Sequence, residues 1–173
     1  MPPLISAVVA AVTAVNRAAF HFAALLIYAI VPAMLIDVVM RYAFDSPTVW
    51  ASELALLLFG PYFLLAGPYV LHLKAHVAMD LIRQKLSPAA NRVVELINIP
   101  IIVIFAGILI AYSLPLAIDS WNYRETSFSA WNPPIWWAKA AVPLSLVLMM
   151  AQAVAEFLRV LFRDPTLEAP QHG

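Results

Sequence analysis

A chain of 173 residues that is 64% hydrophobic and only 12% charged, with a mean hydropathy of +0.86, lacks the water-facing surface of an ordinary soluble domain. Ten Lys and Arg balance ten Asp and Glu, so there is no basic footprint for nucleic acid, and the scarcity of charge excludes intrinsic disorder. The absence of cysteine removes disulfide frameworks, thiolate metal sites and thiol nucleophiles.

What remains is an all-α integral membrane protein. Residues 18–36, 54–73, 96–118 and 140–155 carry no Asp, Glu, Lys or Arg. A hydrocarbon core of about 30 Å takes roughly 20 helical residues, and each stretch reaches that length with a turn added at its ends. The expected spans are 18–42, 48–73, 90–118 and 134–160, forming a single four-helix membrane domain over 1–163. Residues 1–16 are uncharged and rich in Ala, with no basic segment ahead of the apolar run, so they read as a frayed or interfacial lead-in to the first helix rather than a signal peptide. Ser46-Pro47, Ser87-Pro88 and Asn132-Pro133 each set a capping side chain before a proline, which predicts helix starts near residues 47, 88 and 133. Pro32, Pro61, Pro68, Pro100, Pro115 and Pro143 fall inside spans, where each frees a carbonyl and can bend its helix.

Between the second and third spans, Val77, Leu81 and Ile82 share one stripe while Asp80, Arg83 and Gln84 turn away. That pattern predicts a short helix over 76–86 lying in the membrane interface; a plain extension of the second span is the alternative. Residues 164–173 read as a mobile polar tail. Four spans put both termini and the 74–92 connection on one side, with Arg17, Lys74, Arg83, Lys85, Arg92, Arg159 and Arg163; the other side holds Arg41, Arg124 and Lys139. Seven basic residues against three predict cytoplasmic termini. Trp50, Trp121, Trp131, Trp136 and Trp137 all lie by the outer connections, as an aromatic belt at headgroup level would.

Few residues offer chemistry. There is no G-x-S-x-G, H-E-x-x-H or phosphate-binding glycine loop among only four glycines, so no catalytic residue is expected. His21 and His72 fall at similar depth on antiparallel spans, the arrangement of a cytochrome b-like haem protein with two imidazole ligands, and His72 and His76 are four apart, as in a two-His metal face. Interfacial and hydrogen-bonding histidines are the simpler reading, with no metal or cofactor. Asp37 and Arg41 are also four apart, acid before base, and Glu53 lies one turn into the second span. These three form either an ion path or a structural clasp in which Arg41 and Glu53 meet across the hairpin. Their interfacial depth, and the lack of a charged residue at the centre of any span, favour the clasp.

The segments Arg41-Tyr42-Ala43-Phe44, Ser46-Pro47, Trp50-Ala51-Ser52-Glu53-Leu54 and His76-Val77-Ala78-Met79-Asp80-Leu81-Ile82, with Pro134-x-Trp136 and Pro143 later, resemble the small membrane subunit of the tripartite ATP-independent periplasmic (TRAP) transporters, the DctQ-like family. The resemblance covers roughly residues 20–160. Ser52 departs from it, standing where many members carry the first of two acids. The resemblance implies a non-enzymatic scaffold in the bacterial inner membrane, bracing a large transporting subunit that moves its substrate by an elevator-like motion. A periplasmic binding protein delivers that substrate, commonly an organic acid, and a sodium gradient drives uptake. It further implies that Arg41, Trp50 and Glu53 order the outer end, while His76 and Asp80 fix the cytoplasmic arm.

Overall fold

A computed structural model describes residues 3–73 and 88–162. They form four helices: α1 (Pro3–Ala43), α2 (Val49–His72), α3 (Pro88–Asn122) and α4 (Trp136–Leu161). All four are long and apolar enough to cross a membrane. The expected interfacial helix over 76–86, with His76 and Asp80, and the tail over 164–173 lie outside the described residues.

Two helical hairpins build the bundle. α1 packs most extensively on α2, and α3 on α4; the α2–α4 contact joins the hairpins and α1–α4 closes a third side. α4 therefore touches every other helix, whereas the extensive contact of α3 is with α4 alone. The interior is lined largely by small residues, among them Ala23, Ala51, Ala55, Ala106, Ala117, Ala141 and Ala153. Lipid tails are as apolar as leucine, so helices gain little by hiding large side chains from them; alanine at the contacts instead lets the backbones approach closely. Large apolar residues such as Ile97, Ile101, Ile104, Phe105 and Leu116 point outward from α3 accordingly.

From Pro3 onward the lead-in is helical rather than frayed. α1 runs without interruption from Pro3, and its 41 residues span about 62 Å at 1.5 Å per residue. That is about twice the hydrocarbon thickness. Val9 and Asn16 on the lead-in are buried, so packing holds this stretch helical. All six proline positions expected inside spans lie inside continuous helices.

Two of the three expected helix starts shift. α2 begins at Val49 and α4 at Trp136, while the residues ahead of Pro88, where the third start is expected, lie outside the described ones. Ser46 does not cap α2: its N–H donates to the Met40 carbonyl at 3.0 Å, behind Asp45, whose left-handed φ of 48° turns the chain. Thr48 occupies the N-cap instead. Asn132 is likewise drawn away from α4, because its Oδ1 accepts the Phe128 N–H at 3.0 Å inside the preceding connection. A Ser-Pro or Asn-Pro pair encodes a turn as readily as a cap, and tertiary partners choose between them.

Candidate functional site

Polar side chains gather in three places, two at the hairpin end and one at the opposite end. At the α1–α2 connection, Asp37 is the hub. It is 5% exposed, and its Oδ1 accepts the Thr48 N–H at 3.0 Å and the Thr48 hydroxyl at 2.7 Å. Its Oδ2 accepts from Arg41 Nη2 at 2.7 Å. One carboxylate thus ties α1 to the first residue before α2, satisfying an amide that the helix start would leave orphaned.

The expected clasp is corrected here. Asp37 and Arg41 do pair, but Arg41 is not the partner of Glu53. Glu53 Oε2 accepts the Ser129 hydroxyl at 2.5 Å, from the α3–α4 connection. Asp37 lies nearer to Arg41 because both follow one helix face, and it absorbs the guanidinium before the chain turns. Glu53 points instead to a loop 76 residues away in sequence, a contact that no local spacing announces.

That connection, residues 123–135, is highly ordered. Thr126 and Pro134 form an antiparallel bridge, Ser127 N–H donates to Pro133 O at 3.1 Å, and Ile135 N–H donates to Glu125 O at 3.0 Å. Lys139 Nζ, one turn into α4, donates to Glu125 Oε2 at 2.5 Å. The Lys139 ammonium holds the Glu125 carboxyl below the usual glutamate range. The tryptophans of the expected belt all lie at this end: Trp50 in the first turn of α2, Trp131 in the connection, and Trp136 and Trp137 at the start of α4. Trp121, in the last turn of α3, meets Trp136 edge-on with centroids 4.4 Å apart.

The third cluster escaped the sequence reading. Asn16 and Gln152 are wholly buried, and Asn16 Nδ2 donates to Gln152 Oε1 at 2.7 Å. Gln152 Nε2 donates in turn to Glu156 Oε1 at 3.0 Å. The same oxygen lies 2.6 Å from His72 Nδ1 and 3.3 Å from Arg159 Nη1. Arg159 Nη1 also lies 3.1 Å from His72 Nδ1, so imidazole, guanidinium and carboxylate meet at one point of the seam. The seam links α1, α2 and α4 through side chains contributed by each. Its signal was present as Gln152, Glu156 and Arg159 at spacings of four and three, a polar stripe on an otherwise apolar helix. Counting uncharged windows concealed it, because Glu156 falls just beyond the fourth window and Asn and Gln carry no charge.

The histidine pair considered for haem has different neighbours. His72 faces Glu156 and Arg159, with Tyr69 beside it at 5.8 Å. His21 is exposed and meets the Phe20 ring at 5.9 Å. Among the described residues, no group of three or more His, Asp or Glu could hold a metal ion.

Comparison with known families places most of the chain within a family model. The family model for tripartite ATP-independent periplasmic transporters, DctQ component, matches residues 30–163, most of the chain. No curated protein matches it.

Two outcomes follow from the hairpin end. Asp37→Asn should lower the melting temperature in detergent more than Thr48→Val, which removes one hydrogen bond worth about 1 kcal/mol, and Arg41→Gln should cost least because the guanidinium is half exposed. Exchanging Arg41 and Glu53 should recover nothing, since the two are not partners; recovery in a melting experiment would contradict the geometry. The second outcome concerns pH. A carboxyl held below its ordinary value contributes stability that is present above the unfolded pKa and lost as pH falls through the folded one. Protection of the Ile135 amide, corrected for intrinsic exchange, should therefore persist at pH 5 and fall only below the ordinary glutamate pKa of about 4.3. Glu125→Gln should remove that dependence.

Proposed function

The chain belongs to the DctQ family, the small membrane component of tripartite ATP-independent periplasmic transporters, and from that membership we propose that it is the static scaffold subunit of a sodium-driven importer of an organic acid. It is a multi-pass membrane protein of a non-enzymatic family. In the proposed assembly, a large membrane subunit binds and moves the substrate, and a periplasmic binding protein delivers it. The bacterial inner membrane is its place, with both termini in the cytoplasm and the hairpin end facing the periplasm.

The observation that carries the scaffold reading is the contrast between α3 and the polar clusters. In the most apolar stretch of α3 only 6% of residues are buried within the chain, although it is the most hydrophobic of the four spans. A helix that packs on one neighbour leaves most of its circumference for lipid or for another subunit. The polar groups that could have formed a transport site are instead bonded to one another, Asp37 to Arg41 and Thr48, and Asn16 and Glu156 to Gln152. Asp37, Arg41, Trp50 and Glu53 are proposed to order the periplasmic end. His76 and Asp80 are proposed to fix a cytoplasmic arm over 76–86 that widens the scaffold's footing in the membrane. Transport sites usually lie on broken helices at the midplane, and here all four spans are continuous.

Proteoliposomes holding the large subunit should take up substrate under an inward sodium gradient only when this chain is present, while substrate binding by the periplasmic protein is unaffected. Wild-type uptake by the large subunit alone would refute the scaffold role. For orientation, alkaline phosphatase fused after Thr126 should be active in cells and the same enzyme fused after Leu73 inactive.

A further inference from the structure

The helices of the second hairpin leave a groove of about 460 Å³ between them. Buried Ala117 and Pro143 form its floor, and Leu114, Ile118, Leu144 and Val147, each about half exposed, rise along its rims. On α3 it runs from Trp121 to Ile110 and on α4 from Trp136 to Val147, about 17 Å on each helix at 1.5 Å per residue. A hydrocarbon core of about 30 Å gives each leaflet about 15 Å. The groove is one leaflet deep. At the hairpin end it begins at the edge-on contact of Trp121 with Trp136, and tryptophan favours headgroup level. Asp119, Arg124, Glu125 and Lys139 gather at that end, whereas residues 96–118 and 140–155 carry no charge. Lys139 follows Trp136 by three residues and precedes Pro143 by four, so it flanks the groove where its Nζ donates to Glu125 Oε2. The two side chains are 40% and 30% exposed, so the pair remains open to a ligand.

We propose that this groove binds one phospholipid with a zwitterionic head group, its acyl chain lying between α3 and α4. The phosphate meets the Lys139 ammonium, and the lipid's own ammonium meets the Glu125 carboxylate. A Lys–Glu pair carries no net charge, and it complements a head group that is itself a phosphate–ammonium pair. An anionic head group would set a second negative charge against Glu125 without an ammonium to offset it. A quaternary ammonium has no N–H to donate to the carboxylate, so an ethanolamine head group fits best. A protein helix fits less well, for two reasons. Crossing the membrane takes a helix through both leaflets, and this groove stops after one. Helices also dock in lipid where small residues let their backbones approach, whereas these rims carry branched side chains. The lipid has a structural consequence: α3 makes its extensive contact with α4 alone, so a chain seated between them adds to that hold. The site depends on membrane depth and local chemistry, not on the transport role proposed above.

The test uses the full chain, stripped of lipid in detergent and titrated with phospholipids of identical acyl chains in native mass spectrometry. Phosphatidylethanolamine should bind as one molecule per chain, about tenfold more tightly than phosphatidylglycerol or phosphatidylcholine, as a charge-assisted hydrogen bond predicts. Lys139→Gln should remove that preference. Ala140→Phe and Ile118→Trp each fill the groove from a position that is not buried, so the fold should survive while affinity falls about tenfold or more. Melting adds a second readout: phosphatidylethanolamine should raise the melting temperature of the wild type and not that of the filled variants. Equal affinity for the three lipids, or undiminished binding in both filled variants, would overturn the proposal. In the membrane complex, loss of the large subunit from Ile118→Trp with lipid binding unchanged would give the groove to a protein helix and overturn it too.

Discussion

The buried hydrogen bond between Asn16 and Gln152 decides which faces of α1 and α4 meet. In water, burial of apolar area would pull these helices together; in a bilayer that force is absent, because lipid satisfies an apolar face as well as another helix does. Packing of small residues and hydrogen bonds must then select the register. An amide left unpaired in hydrocarbon is costly, so sliding α1 along α4 by one turn would break the 2.7 Å contact and strand both groups. The Gln152–Glu156 bond extends the same constraint to His72 on α2. Three helices are thereby registered by one polar seam, and the alanines at their contacts fill in around it.

The hairpin end obeys a different rule. There water is available, so polar groups are not forced to pair, yet they pair across long sequence separations. Asp37 closes the α1–α2 connection, and Ser129 carries the α3–α4 connection onto Glu53 of the other hairpin. These ties hold a surface rather than an interior. Their arrangement gives a rigid face at one end of the bundle, while the long apolar flank of α3 gives an unpolarised one along its side. The proposed scaffold role would draw on both: a broad apolar flank for contact within the membrane, and an ordered end face at its edge. Family membership fixes the transporter context in which those two surfaces act.

The amino-acid sequence by itself determined the membrane class, the number of spans, the end at which the tryptophans gather and the family, because these depend on composition, on charge-free length and on short motifs that survive without knowledge of packing. It located Asp37–Arg41 because four-residue spacing on a helix is a geometric certainty. It misplaced the starts of α2 and α4, since Ser46 and Asn132 have backbone partners that only the folded turns supply. It joined Arg41 to Glu53 by proximity along the hairpin, when the loop 76 residues on supplies the partner of Glu53. The buried seam and the shape of the α3–α4 connection were decided by tertiary structure alone. Uncharged Asn and Gln are silent in a charge count, and a left-handed backbone at Phe128 follows from bonds to residues around it rather than from any preference of phenylalanine itself.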